Sequence, residues 1–272
     1  MPIAISGVLD DLPLVFFDLE TTGLDLRAGH RVCELALLRV RGAAVEDYLG
    51  SALRPDRLLD PEAAAVNGFQ DAELRGAPRF ASVAGRVQRM AHGAVLIAHN
   101  LPFDMAFLNA ELARIGQPPL ASVTLDTLVL ARRLLRRPSY SLAALAEHFG
   151  LPRPTHRALA DVLALRGVFA QLQLAMAELG VTTLQDVLRL ERGLAPGVAE
   201  PNAPAIIAQA LAEGRALTIR YRSRSSPESL SRTVRPIYLT NESYGVCLRA
   251  YCELRQNIRT FVLDKIEAAE IC

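Results

Sequence analysis

Apolar and polar positions change period several times along this chain, and the changes mark its elements. LPLVFFDLE, residues 12–20, is apolar except for acids at 18 and 20, with a proline at 13. That is strand spacing, with both acids on one face and Leu19 on the other. RVCELALLRVRG and VEDYLGSAL read as two further strands, whose short connections favour antiparallel neighbours. The period turns helical in PEAAAVNGF and in RFASVAGRVQRMAHG. AVLIAHN predicts a buried strand running into a helix, with Pro102 near the helix start and Asp104 in its first turn. SVTLDTL supplies another strand, and SLAALAEHFG a helix closed by Gly150. The longest helix is predicted from Ala158 to Leu179, with Leu159, Val162, Leu163, Phe169, Leu172, Met176 and Leu179 on one face.

Thr183 begins a short helix, and GLAPGVAEPNAP then carries two glycines and three prolines in twelve residues, which is linker chemistry. After it come a helix, AIIAQALAEG, and the strand patterns ALTIRYRS, LSRTVRPIYL, YGVCLRAYCEL and IRTFVLDKI. Their spacing predicts a small all-β unit. The expected organisation is an α/β domain over residues 1–180, a helix and Pro/Gly-rich linker over 181–203, and a β domain over 204–272. A chain of 272 residues can bury two such cores.

Composition narrows the function classes. No apolar run reaches the roughly 18 residues of a membrane span, and the start lacks a basic segment followed by an apolar one. A cytoplasmic protein without a membrane partner is expected. Cys33, Cys247, Cys252 and Cys272 are too few and too irregular for a disulfide framework or a zinc site. The net charge of +1 conceals a nearly neutral front half and a mildly basic segment from residue 203 onward. The front half cannot hold nucleic acid by bulk positive charge; cations in a carboxylate site would have to offset phosphate repulsion.

Such a site is suggested by Asp18 and Glu20 in FFDLETTGL, Asp104 in AHNLPFDMAFL, and His156 with Asp161 in THRALAD. Acids framed by apolar residues are costly to bury without a cation or donor. Four carboxylates suit two hard divalent cations, Mg²⁺ or Mn²⁺, as in phosphodiester hydrolysis. Asp126 is a sixth candidate, read first as a strand-end group bonding backbone. His99 and Asn100 are expected to order the turn before Asp104, and His30, His92 and His148 to be surface or helix-end groups.

The D-x-E-T-T-G strand, the H-N-x-x-F-D turn and the H-x-A-x-x-D helix start, in this order, resemble the DEDDh 3′-to-5′ exonuclease family of the proofreading epsilon-subunit type. The resemblance covers about Pro13 to Leu179, and the five-residue step from His156 to Asp161 fits the histidine branch. It implies an RNase H-like mixed sheet flanked by helices and a two-metal mechanism. Asp18, Glu20 and Asp161 would bind the metal carrying the attacking water, Asp18 and Asp104 the second, and His156 would be general base. Thr21, Thr22, Gly23 and Leu24 match the loop that receives the 3′-terminal nucleotide, with Asn100 and Phe69 as further substrate contacts. Asn67 stands where the family often has histidine.

Residues from about Pro204 to Cys272 look like a WYL domain, a small SH3- or Sm-like β-barrel, with Val246, Cys247 and Leu248 in place of Trp, Tyr and Leu. Tyr221, Arg232, Arg235, Arg249 and Arg259 are candidates for a basic, aromatic surface that binds single-stranded nucleic acid. A protein partner or small ligand is the alternative. The expected function is metal-dependent removal of nucleotides from nucleic-acid 3′ ends, with single-stranded DNA in repair or proofreading as substrate. RNA 3′-end trimming is the alternative within the enzyme class. A nucleic-acid-sensing regulator that uses the fold as a binding platform is the alternative outside it.

Overall fold

The computed structural model describes residues 3–223 and 228–272. Contacts divide the chain after Glu191 into a front and a back unit. In the front unit β1 (Pro13–Thr21), β2 (Val32–Arg41) and β3 (Ala44–Ala52) form an antiparallel meander, as the short connections require. Helices α1 (Pro61–Asn67), α2 (Asp71–Arg75) and α3 (Phe80–Ala91) carry the chain back, so that β4 (Val95–Ala98) lies parallel to β1. After α4 (Leu101–Arg114) comes β5 (Thr124–Asp126), parallel to β4. The unit ends with α5 (Thr127–Leu134), α6 (Leu142–His148), α7 (Ala158–Glu178) and α8 (Leu184–Glu191). The sheet order is β3-β2-β1-β4-β5, a mixed sheet with helices on both faces.

Strand alternation separates two cores. Val15, Phe17 and Leu19 of β1 pack with Val87 and Met90 of α3 and Phe107, Leu108 and Leu112 of α4. Leu14 and Phe16 face the other way, onto α5 through α8. There the rings of Phe16 and Phe169 meet edge to face at 5.4 Å. Asp18 and Glu20 continue this second face beyond the apolar core, toward the N-terminal end of α7.

Three expectations need correction. On α7 the buried residues include Ala158, Val162, Leu165, Val168, Phe169, Leu172 and Met176, whereas Leu159, Leu163 and Leu179 are exposed. One residue is about 100° of helix, which turns Leu159 and Leu163 off the stripe, and Leu179 is the C-cap past the last turn. The SVTLDTL strand is only three residues long, because Asp126 accepts the Leu128 N–H and starts α5. The helix begun by Thr183 belongs to the front unit: Leu184, Val187 and Leu190 lie in its core with Val181. Thr183 and Asp186 cap it reciprocally, each side chain accepting the other's backbone N–H.

The back unit has α9 (Ala205–Glu213) over β6 (Leu217–Arg222), β7 (Ser229–Glu242), β8 (Gly245–Cys252), β9 (Asn257–Val262) and β10 (Ile266–Ile271). These pair antiparallel in the order β10-β6-β7-β8-β9. Ile207 and Ala210 of α9 pack with Leu217, Ile219, Val234, Leu248 and Phe261. The all-β unit is present, with β9 and β10 at the two ends of the ladder. All four cysteines are free thiols, three of them buried.

Candidate active site

Four of the five predicted residues sit where secondary structure begins or ends, which is where side chains of different elements can converge. Asp18 and Glu20 occupy the last part of β1, where β4 no longer accompanies it: the β1–β4 ladder stops at the Phe16–Ile97 pair. Asp104, in the first turn of α4 and 4% exposed, fills that gap by accepting the Leu19 N–H at 3.2 Å. Asp161, in the first turn of α7 and also buried, accepts the Thr155 N–H at 2.8 Å. Each carboxylate thereby fixes the backbone beside another site residue. One oxygen each of Glu20 and Asp161 and one ring nitrogen of His156 lie within 4.8 Å of one another. His156 is exposed and left-handed, with φ of 57°, a conformation that non-glycine residues adopt only where neighbouring contacts hold it.

The electrostatics are those of a site built for cations. Asp18 is held well above the ordinary carboxylate range by burial first, then by Asp104, Glu20, Asp161 and Glu34. Glu20 is pushed up to about 8 by burial and by Asp161, Glu34 and Asp104, with Arg157 opposing weakly. Burial also raises Asp104 and Asp161, against the amides that bond them. Among the described residues no side chain or amide donates to the carboxylates of Asp18 or Glu20. Partly buried acids repelling one another without donors fit hard divalent cations, and the donor set of carboxylate oxygens suits them.

The loop after β1 is braced from within. The Thr21 hydroxyl bonds Gly23 O at 2.9 Å, and Thr22 Oγ1 accepts the Arg31 N–H and meets His30 Nδ1 at 3.1 Å. His30, expected at the surface, is 5% exposed; its Nε2 lies 3.2 Å from Asp60. A Cβ on Gly23 would stand 2.3 Å from the His30 ring. The buried imidazole therefore leaves no room for a side chain at this position. Leu24, 81% exposed, stands free at the tip. Asn67 is buried and donates to Thr21 O at 3.4 Å, supporting the strand end from below.

Asn100 is exposed at the left-handed N-cap of α4, and its N–H is held by Asp126 Oδ1 at 3.0 Å. His99 bonds Thr127 and Tyr140 O, and burial lowers it to about 4. Both order the turn before Asp104. Phe69 is placed differently from its expected role as a substrate contact. Its ring is 7% exposed, packed with Cys33 and Leu74, and covered by the Arg157 guanidinium at 4.4 Å.

In the back unit the five proposed contacts do not share a face. Arg232 pairs with Ile219 and Arg259 with Ala250, both core-facing, and Tyr221 packs its ring on Phe261. Arg235 pairs with Tyr251, and Arg249 with Tyr238 and Thr260, on the opposite face. Period-two alternation divides the set. Arg235 is moreover engaged by Glu253 at 2.8 Å, and Arg249 by the Thr260 hydroxyl.

A family model described as exonuclease matches residues 15–169, and one described as WYL domain matches 203–271. The DNA polymerase III subunit epsilon of Rickettsia prowazekii is 33% identical over 172 residues, 60% of this chain and 75% of the relative. A DNA polymerase III subunit epsilon-like protein of Rhodobacter capsulatus is 35% identical over 189 residues; the match covers 66% of this chain but 26% of that protein. The fold is shared with exonuclease X in complex with 5′-overhanging duplex DNA, at a TM-score of 0.52 and 24% identity, over 65% of this chain and 99% of that one. The chain belongs to the DEDDh 3′-to-5′ exonuclease family and carries a WYL domain behind its exonuclease domain.

Proposed function

We propose that this exonuclease removes nucleotides from the 3′ ends of single-stranded DNA in repair or proofreading, using divalent cations. The observation that carries the reading is the meeting of Glu20 and Asp161 with His156, beside Asp18 and Asp104, whose charges act on the same cluster; among the described residues Asp18 and Glu20 have no donor. The relatives named for a DNA polymerase subunit favour DNA over RNA. Two cations, Mg²⁺ or Mn²⁺, held by the four carboxylates would polarise the scissile phosphate and acidify a water.

The chain's own contribution is to position and to move a proton. Asp104 and Asp161 lock the strand end and the His156 turn through their amide bonds. His156 takes the proton of the attacking water at the ring nitrogen that faces Glu20 and Asp161. Leu24 and the braced Thr21–Gly23 backbone receive the terminal nucleotide.

His156→Ala should lower kcat by about 10² to 10⁴ while Mn²⁺ binding, followed by calorimetry, persists. An unchanged kcat removes His156 from the mechanism. Parallel digestion of DNA and RNA strands of one sequence decides the substrate, and a higher kcat/KM on RNA would replace the DNA reading.

A further inference from the structure

Glu34 is a buried carboxylate that the mechanism above does not use. It lies on β2 directly opposite Glu20 in the β1–β2 ladder, on the same face, and is 8% exposed. A fifth acid beside four others is unfavourable unless something requires it. What it does is visible in its bonds. Oε2 accepts the N–H of Ala158, the first residue of α7, at 2.8 Å, and the carboxylate takes the Arg157 guanidinium, with NH2 to Oε1 at 3.0 Å. The same guanidinium covers the Phe69 ring.

These contacts bracket the strained residue. On the N-terminal side of His156, the Thr155 N–H is held by Asp161; two residues beyond it, the Ala158 N–H is held by Glu34. His156 is thus suspended in its left-handed conformation between two amides, each anchored to a carboxylate. Arg157, the residue between His156 and α7, is fixed by Glu34 at its head and by Phe69 on its flat face.

We propose that Glu34 is a positioning residue for catalysis, acting through Arg157 and Phe69 as a clamp that holds the His156 turn over Glu20 and Asp161. The clamp touches neither substrate nor cation; its effect is on where the imidazole points. Guanidinium geometry matters here, because the planar fork serves the carboxylate in plane while its face lies on the ring. A lysine keeps the charge and loses both. The proposal rests on the catalytic reading of His156, and the test separates the two.

Steady-state kinetics on a labelled single strand should be measured for Arg157→Met, Arg157→Lys, Glu34→Gln and the Glu34→Gln/Arg157→Met double variant, with Asp18→Ala alongside. A misplaced general base predicts kcat lower by about 10- to 100-fold, with KM within about twofold. Arg157→Lys should fail to restore the rate. The double variant should be no slower than the slower single variant, because both changes open one clamp. Melting temperatures report folding independently, and Arg157, whose side chain is half exposed, gives a soluble test even where Glu34→Gln unfolds. Folded variants with wild-type kcat would overturn the proposal. So would multiplicative losses in the double variant, or a raised KM with kcat retained, which would make Arg157 a substrate contact. An active Asp18→Ala would instead overturn the site itself.

Discussion

Replacing Asp18 with alanine should abolish nuclease turnover, by roughly 10³-fold or more, and yet raise the melting temperature of the metal-free protein. The first effect follows from its place at the centre of the acid cluster, where Asp104, Glu20, Asp161 and Glu34 all act on it. The second follows from the same fact. Without cations, a half-buried carboxylate surrounded by four others destabilises the fold, and alanine relieves both desolvation and repulsion. Asp161→Ala should be as inactive without the same gain, because it also releases the Thr155 N–H. Digestion assays with Mn²⁺ and thermal melts in chelator check both. Near-normal cleavage by the two variants would remove the site assignment.

The metal-free protein should also lose stability as pH rises through the range where most proteins are steady. Glu20 has an ordinary value of 4.5 and is pushed up to about 8 in the fold. Between those values the folded state binds more protons than the unfolded, so the stability of unfolding falls with pH. The contribution is fully present below about 4.5 and is lost as pH passes about 8. Asp18 and Asp104, raised in the same direction, act with it. Divalent cations should reverse the trend, since they bind the ionised cluster and only the folded chain presents it. The expected result is a fall of about 5 °C or more in melting temperature between roughly pH 5 and pH 9 in chelator, restored by Mg²⁺ or Mn²⁺. Glu20→Gln should flatten the slope. A metal-free melting temperature that rises over this range contradicts the description of the cluster.

Most of the catalytic face could be read from the chain because its acids interrupt apolar runs. In LPFDMAFL and in ALADVLAL a charge sits where burial is otherwise expected, and the structure buries Asp104 and Asp161 as that logic requires. The same argument applied to VCELALL would have found Glu34, whose acid is framed just as closely. His30 was less accessible to such reasoning. Its partners Thr22 and Asp60 lie 8 and 30 residues away and come together only when the loops after β1 and β3 fold against each other. Arg157 could not be separated from solvated helix-start arginines, because its partners Glu34 and Phe69 arrive from distant segments. The strands were legible from their period; the apolar face of α7 was misjudged by one residue, since leucines occur on both sides of that helix. In the back unit, counting arginines missed the alternation that sends them to opposite faces.

Digestion of a 5′-labelled single-stranded DNA, sampled over time with Mg²⁺ or Mn²⁺ and again in excess chelator, tests the central claim most directly. A descending ladder of products that retain the label, shortening one nucleotide at a time, is the expected result. It should vanish in chelator, in Asp18→Ala and in Asp161→Ala. Release of the labelled 5′ nucleotide first, internal cuts, or undiminished digestion in chelator would contradict a metal-dependent 3′-to-5′ exonuclease built on these carboxylates.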